Sequence, residues 1–213
     1  MAISAIAAVS SQGATVLANW TFETSIPTTA GPHVAEAGVF SATSNASSNS
    51  GGTFTNPAGN GSVESFSSNG WASGEYYQFL SKSIGYNEGI TVSFAQSASA
   101  TGPATFQFQY STDGTNFVNF GPTYAGPTTD FTNASVTAGN IISYDLSSIA
   151  ALNNKATIGF RVAVAPGSVA ENGNAIGNSG TFRVDDFVIT AIPEPSAAIL
   201  GAFGTLALLR RRR

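Results

Sequence analysis

TFQFQYSTDGTNFVNF, residues 105–120, decides the fold class. Phe106, Phe108 and Tyr110 share one parity, and Gln107 and Gln109 share the other. A strict period of two is the mark of a half-buried strand in an antiparallel sheet. Asp113-Gly114 then falls between two such runs, the short-range signal of a hairpin. Working outward, ITVSFAQ (90–96) and ATIGFRVAV (156–164) alternate in the same way. TVLANWTFE (15–23), EYYQFLS (75–81), IISYDLS (141–147) and TFRVDDFVIT (181–190) complete a set of short strands separated by polar turns. No convincing helical period lies between them. The expected architecture is all-β: a two-sheet antiparallel sandwich of jelly-roll type, over residues 14–191.

Composition agrees with that reading and narrows the partners. Of 213 residues only 9% are charged, whereas 11% are aromatic, against roughly 25% charged in an average soluble protein. Four of the eight basic residues are terminal: Arg210, Arg211, Arg212 and Arg213. The first 209 residues therefore hold Lys82, Lys155, Arg161 and Arg183 against all twelve acids, a net of −8. An acidic body repels phosphate backbones, so no nucleic acid is expected as a partner. Cysteine is absent, which removes disulfides, thiolate metal sites and thiol catalysis. One low-complexity run, SATSNASSNSGGTFTNPAGNGSVESFSSNG (41–70), reads as a long surface excursion.

The two ends read as addresses. Residues 1–13, MAISAIAAVSSQG, are apolar and then polar, like the back half of a secretory signal without its basic start. Cleavage after Gly13 or after Ala18 fits, and the first keeps the strand beginning at Ala14 whole. At the other end IPEPS (192–196) is followed by a mostly apolar segment, 197–209, and then by the arginines. At ~1.5 Å per residue that segment spans only ~20 Å, a short membrane helix with a positive-inside anchor.

This tripartite end resembles the PEP-CTERM sorting signal of Gram-negative bacteria. Pro193, Glu194 and Pro195, the apolar segment 197–209 and Arg210–Arg213 carry the resemblance. It implies export, transient membrane anchoring, and recognition and trimming of the tail by an exosortase. The implied destination is the cell surface or an exopolysaccharide matrix. NWTFE, FQYSTDGTNF, GFRVAVA and FRVDDFVI also make the body similar to laminin-G-like and carbohydrate-binding jelly rolls.

Catalysis is not expected. His33 is the single histidine and follows Gly31-Pro32, where an exposed loop residue is anticipated. No spacing pairs Glu64, Glu75, Glu88 or Asp113 as an acid and a base. Adjacent Asp185 and Asp186 in an apolar strand are costly if buried unpaired. With Phe182, Val184 and Val188 facing the core, Asp186 shares their face and Asp185 points to solvent. Asp186 is then either hydrogen-bonded or paired with Arg161 or Arg183, or it binds a structural Ca²⁺. The jelly-roll resemblance places such a calcium between Glu23 and Asp185 or Asp186. Trp71, Tyr76, Tyr77 and Tyr86 are the aromatics from which a sugar-stacking platform could be built, giving polysaccharide or another surface protein as partner.

Overall fold

The computed structural model describes residues 13–47 and 52–194. The strands in chain order are β1 (Thr15–Trp20), β2 (His33–Val34), β3 (Thr43–Ala46), β4 (Phe54–Thr55), β5 (Phe66–Ser68), β6 (Tyr76–Ser81) and β7 (Tyr86–Ala98). They continue with β8 (Thr105–Ser111), β9 (Val118–Asn119), β10 (Tyr124–Ala125), β11 (Ile141–Asp145), β12 (Ile158–Val164) and β13 (Phe182–Pro193). One sheet runs β11-β7-β13-β5-β4, with β1 added along the second half of β13. The other runs β10-β8-β12-β6-β3-β2, with β9 also on β8. All pairings are antiparallel, so the two-sheet sandwich read from the sequence is the fold.

Alternation builds the core. Tyr77 and Phe79 of β6, Phe106 and Phe108 of β8, and Phe160 and Val162 of β12 face the interior from the second sheet. Val92 and Phe94 of β7, and Val184, Phe187 and Ile189 of β13, face them from the first. Phe79 and Phe187 meet across the gap, ring centres 3.5 Å apart and planes within 5°. Trp20 meets Phe79 edge-on at 5.1 Å. With no disulfide available, this aromatic layer is what the two sheets close on.

Three expectations are corrected. The run 41–70 is not a surface excursion where it is described, because it supplies β3, β4 and β5. Phe66 of β5 is fully buried against Tyr77 (4.5 Å between ring centres) and Phe22 (5.4 Å). Its polar composition hid the strands: Ser67 and Ser68 are buried with it, paired to β13 and β4. Second, His33 is 7% exposed rather than an exposed loop residue. It lies edge-on to Phe66 at 4.9 Å, and its Nε2 is 2.9 Å from the Thr29 carbonyl.

Third, Asp185 does not point to solvent and Asp186 does not share the core face. Asp185 pairs with Ala95 and Val188 with Ser93, so β13 advances three residues while β7 advances two. Asp186 is the extra residue of this β-bulge, at φ 48°. The extra residue lets Val184 and Phe187 both face inward, while Asp185, on the face opposite Val184, is fully buried beneath residues 59–62. The end of β13 also reaches past the expected boundary at residue 191. Pro193 still pairs with Tyr86, and the Glu194 N–H donates to the Gly85 carbonyl at 3.0 Å.

Candidate functional site

The outward face of the second sheet carries a straight polar row. Registers pair Asn45 with Gln78, Gln78 with Arg161, Arg161 with Gln109, and Gln109 with Asn119. Five strands, β3-β6-β12-β8-β9, thus set five planar polar side chains side by side. Strand geometry puts them there: each sits between two core-facing neighbours on its own strand or pairs with a residue that does. The row is internally ordered. Arg161 Nε donates to Gln78 Oε1 at 2.9 Å, and Gln109 Nε2 donates to Asn119 Oδ1 at 2.9 Å.

Arg161 is the centre of the row and is held between two rings. Its guanidinium carbon is 3.6 Å from the centre of the Tyr76 ring and 3.6 Å from that of Phe117. Phe117 can lie this close because residue 159, the next outward position of β12, is glycine. A Cβ there would stand 3.0 Å from Phe117 Cζ and 2.8 Å from Leu80 Cδ2. Desolvation lowers the pKa of Arg161 from its ordinary value, yet a guanidinium stays charged at neutral pH. Among the described residues the ion pair is Arg183 with Asp130, at 2.8 Å, and Arg161 has no carboxylate partner. An open apolar recess of about 290 Å³ flanks the row, lined by Val34, Ala42, Thr43, Leu80 and Thr157, with Lys82 at its rim and no carboxylate.

Of the four aromatics expected to offer a sugar platform, the structure brings only Tyr76 to this face. Trp71 is 4% exposed, with its indole N–H donating to the Ser68 carbonyl at 2.8 Å. Tyr77 is 0% exposed, and its hydroxyl donates to the Phe182 carbonyl at 2.9 Å. Both are core residues and neither can stack on a ligand. Tyr86 begins β7 in the other sheet, half-buried and edge-on to Phe40 at 5.9 Å. Arg161, Phe117 and the amide row were missed by sequence reasoning. The outward parity of Gln109 in TFQFQYS was a usable signal; the register that aligns it with Arg161 was not.

The acidic residues form a separate group on β13 and the segments around it. Asp185 Oδ2 accepts from the Asn60 N–H at 2.8 Å and the Ser62 hydroxyl at 2.7 Å, and its Oδ1 accepts from the Asp186 N–H at 2.8 Å. Gly59 leaves room for this clamp, since a Cβ there would meet Asp185 Oδ2 at 2.2 Å. Burial, and then the Asp186 charge, push the Asp185 carboxyl up to about 7 against the opposing hydrogen bonds. Burial also raises Asp186, with the charges of Glu23 and Glu36 adding to it. Glu36 behaves oppositely: burial works to raise it, but hydrogen bonds from Thr21, Ser25 and Thr24 outweigh it and hold it at about 2.

The carboxylates expected to hold calcium make hydrogen bonds within the chain. Glu23 Oε1 accepts from the Glu64 N–H at 2.8 Å, and Asp185 is committed to Asn60 and Ser62. No group of three or more such carboxylate or imidazole residues occurs among the described residues. Neither Arg161 nor Arg183 neutralises Asp186, since the first lies on the other sheet and the second pairs with Asp130.

No family model matches the chain, and no curated protein matches it. Some solved structures are similar to it, at TM-scores below 0.5. One is the N-terminal CBM22-1–CBM22-2 tandem domain from Paenibacillus barcinonensis Xyn10C: 14% identity, TM-score 0.49, covering 89% of this chain and 48% of that one. Another is the K3 cleaved adhesin domain of Lys-gingipain from Porphyromonas gingivalis w83: 12% identity, TM-score 0.40, with 82% and 98% covered. A third is TmCBM61, solved in complex with beta-1,4-galactotriose: 11% identity, TM-score 0.37, with 71% and 88% covered. The chain spans about half the length of the first of these. These likenesses concern the fold alone.

The chemistry open to the polar face is recognition. Amides and a guanidinium laid out in a plane donate to and accept from hydroxyls, while a flanking ring offers an apolar edge. Among the described residues the one imidazole is engaged with Thr29 and Phe66 on the other side of β2 from solvent. None of the expected sorting residues beyond Glu194 can be placed, because Pro195, the segment 197–209 and Arg210–Arg213 lie outside the described residues. No helix among the described residues is long and apolar enough to cross a membrane.

Proposed function

We propose that this chain is an exported, non-catalytic surface or matrix module that binds glycan through the outward face of its second sheet. The observation that carries the reading is the five-strand row Asn45–Gln78–Arg161–Gln109–Asn119 with Tyr76 and Phe117 on its central member. Planar, pre-ordered polar side chains lose little freedom on binding, so their hydrogen bonds to sugar hydroxyls translate into affinity. The test is affinity electrophoresis of the purified chain through a panel of polysaccharides. At least one polymer is expected to retard it, and the double substitution Gln78→Ala with Gln109→Ala should weaken that binding about tenfold with Tm little changed. If the folded chain ignores every polymer, the partner is a protein and the glycan reading is lost.

Delivery is the second part of the proposal, and the C-terminal sequence supports it. Pro193 and Glu194 form the last described rungs beside β7, directly before Pro195, the apolar segment and the arginines. We take this tail as the address read by an exosortase at the inner membrane, with release to the cell surface or matrix. Replacing Arg210–Arg213 with glutamine should leave the tail untrimmed and reduce surface display by about tenfold or more, measured by blotting of membrane and surface fractions. Normal trimming of that variant would overturn the sorting assignment.

A further inference from the structure

The glycan face carries a charge that nothing in the fold balances. Its other members, Asn45, Gln78, Gln109, Asn119, Tyr76 and Phe117, are neutral. The acids nearest in sequence to its strands are already occupied. Glu75, before β6, accepts from the Ala72 N–H at 2.6 Å. Asp113, after β8, accepts from the Ser111 hydroxyl and from the N–H groups of Thr115 and Asn116, each at 2.8 Å, and from the Asn116 side chain at 2.7 Å. Of the four cations between residues 13 and 194, Lys82 and Lys155 flank the sheet ends and Arg183 has Asp130. Arg161 alone is partly buried, stacked on both faces, and free of an acid.

Two cation–π contacts and one hydrogen bond hold this partly desolvated guanidinium without neutralising its charge. What the arrangement provides is a fixed fork. Nε is spent on Gln78, both planar faces are covered by rings, and the two terminal nitrogens have no hydrogen-bond partner among the described residues. A guanidinium presented by its terminal edge matches a planar carboxylate in bidentate fashion, which a neutral hydroxyl does not. The body's net charge of −8 outside the terminal arginines opposes polyanions at long range, so admission of an anionic group rests on local contact with the one unpaired cation at the middle of a neutral face.

Resting on the glycan reading above, we infer that Arg161 selects carboxylate-bearing polysaccharides, taking a uronic acid carboxylate between Gln78 and Gln109. Asn45 and Asn119 then lie further along the row, where neighbouring sugars of an extended chain would meet them.

The test compares sodium alginate and sodium polygalacturonate with their carboxyl-reduced forms and with neutral xylan, using the full chain and affinity electrophoresis. Reduction of the carboxylates should weaken binding at least tenfold, and raising salt should weaken binding of the acidic polymers only. Arg161→Gln should abolish the preference for acidic over reduced polymer. Arg161→Lys, which keeps the charge but not the fork, should recover only part of it. The wild-type comparison needs no variant, so it decides the matter even if residue 161 proves necessary for folding. Equal affinity for acidic and reduced polymers overturns the assignment while leaving glycan binding in place. Binding to xylan alone does the same. Binding to no polymer removes both.

Discussion

Phe187→Ala should cost about 3–5 kcal/mol of stability, the range for deleting a fully buried phenylalanine. That is a large share of the roughly 5–15 kcal/mol that a domain possesses. Phe187 is the first inward residue after the β13 bulge, and the sandwich closes on it. Its ring stacks on Phe79 at 3.5 Å, approaches Phe94 at 5.5 Å and meets Trp20 edge-on at 5.9 Å. Four strands, β1, β6, β7 and β13, thus converge on one side chain, leaving little room for the site to collapse. Urea unfolding followed by tryptophan fluorescence measures the loss, since Trp20 reports on the same cluster. Val118→Ala, on an edge strand and 53% exposed, serves as the comparison and should change stability by about 0.5 kcal/mol or less. A loss at Phe187 no larger than that at Val118 would mean that the two sheets are not joined through this stack.

How far the sequence carried can be judged from individual strands. Where one face is apolar and the other polar, as in TFQFQYS and GFRVAV, the period of two was readable and the sandwich followed from it. β3 and β5 escaped because their inward or sheet-paired residues are serines, asparagine and alanine with a single Phe66, so hydrophobic periodicity had nothing to report. Parity in β13 failed at one residue: a bulge leaves no trace in a pattern of hydrophobic letters, so counting by twos put Asp186 on the core face, and nothing in the strand's own pattern shows that residues 59–62 cover Asp185. The site was less legible still. Trp71 and Tyr77 offered rings for sugar stacking, but the structure buries both rings and turns their polar tips to the Ser68 and Phe182 carbonyls. Arg161 lies 52 residues from Gln109 and 83 from Gln78 in sequence, so the row exists only once the register of β12 against β6 and β8 is set.

The Asp185 clamp gives the second large effect, and it runs against the usual dependence of stability on acid. In the unfolded chain the carboxyl titrates near 3.8, and in the folded chain near 7, because burial and the Asp186 charge favour the protonated form. The folded state therefore binds a proton that the unfolded state has released, between about pH 4 and pH 7. A group raised in this way contributes its stability fully below the unfolded value and loses it as pH climbs through the folded one. The loss approaches about 4 kcal/mol by pH 8, from roughly 1.4 kcal/mol per pH unit. Glu36, held at about 2, works in the opposite sense: its contribution is present above 4.5 and disappears as pH falls toward 2. The joint contribution of these two groups is largest near pH 4–5. Urea midpoints measured from pH 4 to pH 8 should therefore fall steadily. Asp185→Asn keeps an oxygen for the Asn60 N–H and the Ser62 hydroxyl and cannot ionise, but its amide nitrogen cannot accept from the Asp186 N–H. It should fall about 1 kcal/mol below the wild type at pH 4.5 and exceed it at pH 8, with the downward slope flattened. If Asp185→Asn follows the wild-type profile in parallel, the proton sits elsewhere and the Asn60–Ser62 loop is clamped by a carboxylate that stays ionised throughout.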